Sequence, residues 1–227
     1  MGTATLIIGE SGTGKSTSLR NIKPEETLLI QTVRKPLPFR SNAWKPFNHK
    51  EPVTSIFVCD QWERIAKAIS SAASFGKKIV VVDDFQYLMA NEFMRRSDEK
   101  SFDKFTEIGA HTWNVINAAI GGTPDDVRVY FLAHTEETQM GKVKMKTIGR
   151  MLDEKITVEG MFTIVLKTLV KDGQYLFSTQ NSGNDTVKSP MGMFESHEIE
   201  NDLEAVDELI CDYYQIERKN ETNRSEE

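Results

Sequence analysis

Apolar positions along the chain change their period several times, and each change marks an element. Thr5 to Ile8 is a short β-branched and aliphatic run entering a glycine-rich segment, and Lys15 to Ile22 then predicts a helix stopped before Pro24. Thr27 to Val33 predicts a second strand and Ser55 to Cys59 a third. Asp60-Gln61-Trp62-Glu63 has the spacing of a capping box. Trp62, Ile65, Ala66, Ile69 and Ala73 continue it as the stripe of an amphipathic helix ending at Gly76. Lys78 to Val82 is a continuous apolar strand of the kind buried on both faces of a parallel sheet.

Phe102, Phe105, Gly109, Trp113, Ile116 and Ile120 predict a long helix that closes on Gly121-Gly122, and Val127 to Ala133 predicts another strand. Met161 to Val170 and Tyr175 to Thr179 flank Asp172-Gly173, the signature of a β-hairpin. Ile199, Leu203, Val206, Ile210 and Tyr213 form the stripe of a last helix, and a polar tail at 217–227 is expected to be disordered. Strands alternate with helices through residue 133, so the expected fold class is α/β with three layers. The expected organisation is a core over 1–194, an acidic C-terminal helix over 195–216, then the tail.

Composition narrows the class of protein without naming a function. The chain has 227 residues, 39% of them hydrophobic and 27% charged, a globular balance rather than a fibrous or disordered one. No apolar stretch approaches the roughly 18 residues a membrane span needs, and the N-terminus lacks the charged-then-apolar order of a signal peptide. Leu6 stands where a myristoylation signal wants Ser or Thr. Two cysteines, Cys59 and Cys211, make no disulfide framework, and four scattered histidines make no metal cluster. The expectation is a cytoplasmic protein with no membrane partner. Net charge is −9 over 195–227 and +3 over the rest, so an acidic tail follows a mildly basic body that permits an anionic ligand.

Gly9-Glu10-Ser11-Gly12-Thr13-Gly14-Lys15-Ser16 fits GxxxxGK[ST] at every fixed position, between a predicted strand and a predicted helix. A polyphosphate needs several inward N–H donors, so the loop must curl, and Gly12 and Gly14 permit the curvature. A helix start near Lys15 would add partial positive charge. Lys15 would reach the β- and γ-phosphates, Ser16 would ligate Mg²⁺, and Thr17 would donate to the α-phosphate. Ile79-Val80-Val81-Val82-Asp83-Asp84 follows as four aliphatics ending in two acids, the pattern called Walker B. Asp83 at the strand's carboxyl end could hold Mg²⁺ opposite Ser16. Asp84 could polarise an attacking water as general base, although many such ATPases place the longer Glu there. Asp60 is a rival base or a helix N-cap. His134, after the strand at Val127 to Ala133, is placed to sense a γ-phosphate or to sit on the surface.

With these motifs in view, the sequence resembles the RecA/AAA-type P-loop ATPases, and more narrowly the phage-encoded core-only RecA relatives that include single-strand annealing ATPases. GESGTGKSTSLRNI (9–22), KPLPF (35–39), IVVVDDFQYLM (79–89), FLAHTEE (131–137), KTIGRMLDEKITVEGMF (146–162) and KSPMGMF (188–194) carry the resemblance. It implies a mostly parallel RecA-like sheet, ATP and Mg²⁺ as cofactors, assembly into a homo-oligomeric ring or filament, and a place in DNA metabolism.

Arg34 to Lys50 holds five bases, no acid and the rings of Phe39, Trp44 and Phe47. That mixture suits single-stranded DNA, with cations for phosphates and rings for stacking; equally, the rings could tuck onto the body. Lys142, Lys144 and Lys146 would share one face of an extended segment. Arg150, Lys146 and Lys188 are candidates for a cation donated to a neighbouring subunit's site, or for DNA contact. The favoured expectation is an ATPase acting in phage recombination or replication through nucleotide-dependent assembly on single-stranded DNA. The alternatives are a weakly hydrolysing ATP switch that recruits replication proteins, and a P-loop small-molecule kinase.

Overall fold

The computed structural model describes residues 2–51 and 53–218. In chain order it contains β1 (Thr3–Gly9), a 3₁₀ turn (Ser16–Asn21), β2 (Thr27–Gln31), β3 (Ile56–Val58), α1 (Trp62–Ser71), β4 (Ile79–Asp83), α2 (Gln86–Arg95) and α3 (Asp103–Gly121). These are followed by β5 (Arg128–Glu137), β6 (Val143–Met145), a π-helical turn (Met151–Lys155), β7 (Ile164–Lys171), β8 (Gln174–Ser178), β9 (Glu198–Glu200) and α4 (Leu203–Tyr214).

Nine strands form one mixed, mostly parallel sheet of an α/β fold, in the order β3-β2-β4-β5-β1-β7-β8-β9, with β6 antiparallel to the end of β5. The stretch from β3 to β7 is parallel, and β8 and β9 close that edge antiparallel. Side chains of a strand alternate between faces, and here both faces are apolar. Val80, Val82, Val129 and Phe131 pack against Ile65, Ile69, Leu88 and Ile108 of α1, α2 and α3. Ile79, Val81, Tyr130 and Leu132 pack against Leu19 of the 3₁₀ turn and Leu203, Val206 and Ile210 of α4. Helical elements thus cover the sheet on both sides. Because β5 lies between β1 and β4, the carboxyl ends of all three meet at one edge, where a parallel sheet leaves a crevice.

Several elements differ from the sequence reading. The helix expected over Lys15–Ile22 is a six-residue 3₁₀ turn, ended by extended Ile22. Ser18 Oγ bonds locally, donating to Lys15 O at 2.6 Å, which competes with regular helix. A turn this short contributes little macrodipole. The α3 stripe is rotated from the expected one: Ile108, Thr112, Val115, Ile116 and Ala119 are buried, whereas Phe102 is 85% and Trp113 44% exposed. Gly109 is buried because Met151 sits where its Cβ would be, 2.5 Å from the Met151 Cε. α2 follows β4 after a two-residue turn and has no counterpart in the predicted elements.

Strand β5 runs four residues past Ala133, because β6 pairs with Thr135 through Glu137. Asp172 and Gly173 both adopt left-handed φ in the turn between β7 and β8. At the C-terminus Ile199 belongs to β9, not to the helix; α4 buries Asp207 and Cys211 beside its apolar stripe, and Tyr213 is exposed. The acidic segment is therefore built into the sheet and its core. The tail expected to be disordered lies outside the described residues from position 219 onward. Among the described residues no helix is long and apolar enough to cross a membrane.

Candidate functional site

The loop after β1 is set by two close approaches. A Cβ on Gly9 would stand 1.8 Å from Thr168 Oγ1 on β7, and Gly14 has a φ of 98°, in the region glycine adopts without steric cost. Thr13 ties the loop to the sheet, its Oγ1 donating to Glu10 O at 2.8 Å and lying 2.6 Å from Thr168 Oγ1. Glu10, Ser11 and Gly12 are exposed at the loop's crest.

Lys15 folds back under this loop. Its ammonium donates to Gly9 O and Glu10 O, each at 2.7 Å. Burial pushes its pKa down to about 8, against the raising pull of Asp84 and Asp83. Beside it Ser16 Oγ lies 3.0 Å from both carboxylate oxygens of Asp83. β4 ends on that aspartate, and burial, reinforced by the neighbouring Asp84 charge, pushes its pKa up to about 6. Asp84 turns off the strand with a left-handed φ of 58°, unusual for a residue bearing a Cβ. Its backbone is held by Thr32, whose Oγ1 donates to Asp84 O at 2.7 Å and Asp83 O at 3.1 Å.

The Asp84 carboxylate is buried and engaged from two sides. Lys35 Nζ makes an ion pair with Oδ2, and His134 Nε2 lies 3.4 Å from Oδ1. Burial works against the Lys35 ammonium, but the Asp84 hydrogen bond and the charges of Asp83 and Asp84 outweigh it, so its pKa is raised. For His134, burial and then the Lys15 charge lower the pKa. His134 lies within β5, in register with Gly9, and Gln86 Oε1 accepts its backbone N–H at 3.0 Å. Lys15, Ser16, Thr17, Lys35, Asp84 and His134 line one cleft of about 260 Å³.

This is a cationic, loop-walled cleft with two acids at its floor. Ser16 and Asp83 supply oxygen donors of the hard kind that suit Mg²⁺, an ion that keeps several waters and shares phosphate oxygens. Among the described residues no group of three or more His, Cys, Asp or Glu could hold a metal alone, so phosphate oxygens and water would complete the shell.

The other candidates lie elsewhere. Asp60 neither caps α1, whose N-cap is Gln61, nor reaches the cleft: it accepts from Arg95 at 2.6 Å and Asn91 at 3.0 Å, both on α2. Trp44 is 7% exposed in the core and Phe39 packs edge-on against it, while Phe47 meets Phe75, so the rings of the basic loop are taken up by packing. Lys144 pairs with Glu136 across β5 and β6, and Lys146 lines a cavity with Tyr87 and His134. Arg150 borders a separate cavity with Phe102 and Phe105, and the Lys188 backbone bridges Val165 of β7.

In the sequence Lys35 is one base of a loop and the first residue of KPLPF (35–39), with no expected place in the site. The signal for its position is that β2 pairs with β4 in parallel, Gln31 against Asp83, so residues just past β2 arrive at the Walker-type acids. Thr168 gave no sequence signal. No protein-family model matches the chain, and no curated protein matches its sequence.

The raised Asp83 pKa carries a stability consequence. An acid whose folded pKa exceeds its ordinary value of 3.8 disfavours the fold where it is ionised. That cost is absent below the ordinary value, grows through the interval, and is complete above about 6. Asp83→Asn is therefore expected to be more stable than the wild type at pH 7.5, by about 2–3 kcal/mol. In urea melts the advantage should shrink as pH falls toward 4; a variant less stable at pH 7.5 would refute this electrostatic account.

Proposed function

We propose that the chain is a P-loop NTPase with a RecA-like core that binds ATP with Mg²⁺ and hydrolyses it. The observation that carries this reading is the Ser16 hydroxyl set 3.0 Å from both oxygens of Asp83, directly beside the loop-bound Lys15 ammonium. Two strands that are not sheet neighbours deliver those groups, with β5 between them. Lys15 and the loop amides from Gly9 to Thr17 bind the phosphates, Ser16 and Asp83 hold Mg²⁺, Asp84 orients water, and His134 stands at the γ-phosphate end. Bound Mg²⁺ would neutralise phosphate charge and polarise the transferred group.

Asp84 as found is ion-paired with Lys35, whose ammonium occupies a carboxylate oxygen that an attacking water would need. Hydrolysis on this reading requires Lys35 to leave Asp84 for a phosphate oxygen as the nucleotide enters. The same contact supports the second reading, a nucleotide switch with slow turnover: if Lys35 stays on Asp84, ATP is held and scarcely cleaved.

The cellular role proposed is phage recombination or replication, through nucleotide-dependent assembly on single-stranded DNA as a ring or filament. The sequence resemblance supports it, with the cations of Arg34–Lys50 and of Lys142, Lys144 and Lys146 as the contacts and Arg150, Lys146 or Lys188 as the cation offered in trans. Steady-state ATP turnover against single-stranded DNA concentration is the test. Stimulation by DNA supports the motor, flat slow turnover with tight ATP binding supports the switch, and transfer to a metabolite supports a kinase. DNA affinity should fall steeply with salt in the presence of ATP and Mg²⁺. Salt-insensitive or absent binding removes the DNA half.

A further inference from the structure

We propose that the cavity adjoining the phosphate cleft, between the 3₁₀ turn and the β8–β9 edge, is an adenine-recognition site read by the Asn201 amide and the Tyr175 ring. This rests on the reading of the cleft as a polyphosphate site. The cavity measures about 590 Å³, the size of a small-ligand site, and shares Thr17 and Tyr175 with the cleft, so the two form one continuous trough. Leu176 and Ile199 give it an apolar wall, and Gln174 a polar one.

Asn201 is the anomaly. It is 1% exposed, yet neither Nδ2 nor Oδ1 has a hydrogen-bond partner among the described residues. A buried unpaired amide group is costly, and native proteins carry few of them. Its backbone, by contrast, is fully held: the N–H donates to Tyr175 O at 3.1 Å, and Arg20 donates to its carbonyl while pairing with Glu200 at 2.8 Å. The backbone is thus tied on both sides, while the amide has no partner among the described residues. The amide also sits at the junction of the two cavities: a Cβ on Gly14 would lie 3.0 Å from both Asn201 Oδ1 and Tyr175 Cδ1.

The chemistry selects the ligand. An amide offers one donor beside one acceptor, the complement of adenine N7 and N6–H₂, whereas guanine presents two acceptors on that edge. Tyr175, 48% exposed, offers a face for stacking, which is tolerant of base identity. Glu198 and Glu200 also line the cavity, each paired with a cation, Lys171 at 2.9 Å and Arg20 at 2.8 Å, so the direction of a bound nucleotide, phosphates toward Lys15, is set by the cleft.

The test is calorimetric titration of the full chain, with Mg²⁺, using ATP, GTP and inorganic tripolyphosphate. The expected result is ATP binding at least about tenfold tighter than GTP or tripolyphosphate. Asn201→Leu should bring ATP down to the tripolyphosphate level while leaving tripolyphosphate affinity unchanged, and Tyr175→Ala, whose ring borders both cavities, should weaken ATP more than it weakens tripolyphosphate. Because the amide is unpaired in the free protein, Asn201→Leu should melt no lower than the wild type, a result opposite to that of a structural role. If Asn201→Leu fails to fold, the structural role is shown for the amide and Asn201 is overturned; Tyr175→Ala then decides the cavity. Equal ATP and GTP affinities, or variants that bind ATP like the wild type, overturn the proposal and leave the phosphate reading standing. A wild type that binds neither ATP nor tripolyphosphate ends both.

Discussion

Lys15→Ala is expected to bind ATP with Mg²⁺ about 100-fold more weakly than the wild type and to turn it over at background. Among the described residues the ammonium donates to the carbonyls of Gly9 and Glu10, the two residues that open its own loop. Two of its three protons are thereby used to hold the loop curled, and the third is left for phosphate. Charge-assisted bonds to phosphate are about twice as strong as neutral ones, and a 100-fold loss corresponds to about 2.7 kcal/mol. The lowered pKa of about 8 still leaves the group charged at pH 7, and an arriving polyphosphate would raise it. The variant must be compared with the wild type in thermal melts, since an uncurled loop and a lost ligand contact both weaken binding. A folded Lys15→Ala chain that binds ATP normally would mean that the cleft holds something else.

Asp207→Ala is expected to cost about 3–5 kcal/mol of folding stability, enough to unfold a marginal domain at 37 °C. Asp207 is fully buried on α4 and accepts both arms of the Arg128 guanidinium, at 2.8 and 2.7 Å, together with the Tyr130 hydroxyl at 2.5 Å. Burial lowers the Arg128 pKa and its hydrogen bonds to Asp207, with the Asp207 charge, more than restore it, so the net shift is upward. The alanine variant would leave that guanidinium, 2% exposed, without its bidentate carboxylate partner. The loss should be recoverable: replacing Arg128 and Asp207 together by Met and Leu removes both charges and keeps the volume, so the double variant should melt above the single one. An additive double variant would show that the pair is not what fastens α4 to β5. With the anchor gone, β9 and Asn201 would lose their support, so ATP affinity should fall with stability.

The two sites differ in how far they could be read from the chain. The loop from Gly9 to Thr17 and the run from Ile79 to Asp84 were legible because each is short, contiguous and constrained by its own chemistry: a curled backbone needs glycine, and a buried strand needs an unbroken aliphatic run. The parallel α/β class followed from the same alternation. Helix α1 was legible in its stripe, whereas α3 was not, because its face is chosen by what lies against it. Met151 of the π-helical turn takes the space over Gly109, and Phe102 and Trp113 turn outward although both are large aromatics.

What the sequence settled by itself was therefore local: which apolar runs form the central strands, where the backbone must bend, and which residue types carry oxygen donors and cations. Tertiary structure alone decided which of these meet. Sheet order set β5 between β1 and β4, and so brought His134 to Asp84. Parallel pairing of β2 with β4 carried Lys35 from a basic loop onto the same carboxylate. The packing of α4 turned Asp207, one acid among many in a negative segment, into the buried partner of Arg128. The physical reason is the same in each case: a side chain's charge and hydrogen-bonding capacity are intrinsic, but its neighbours depend on contacts between residues far apart in the chain.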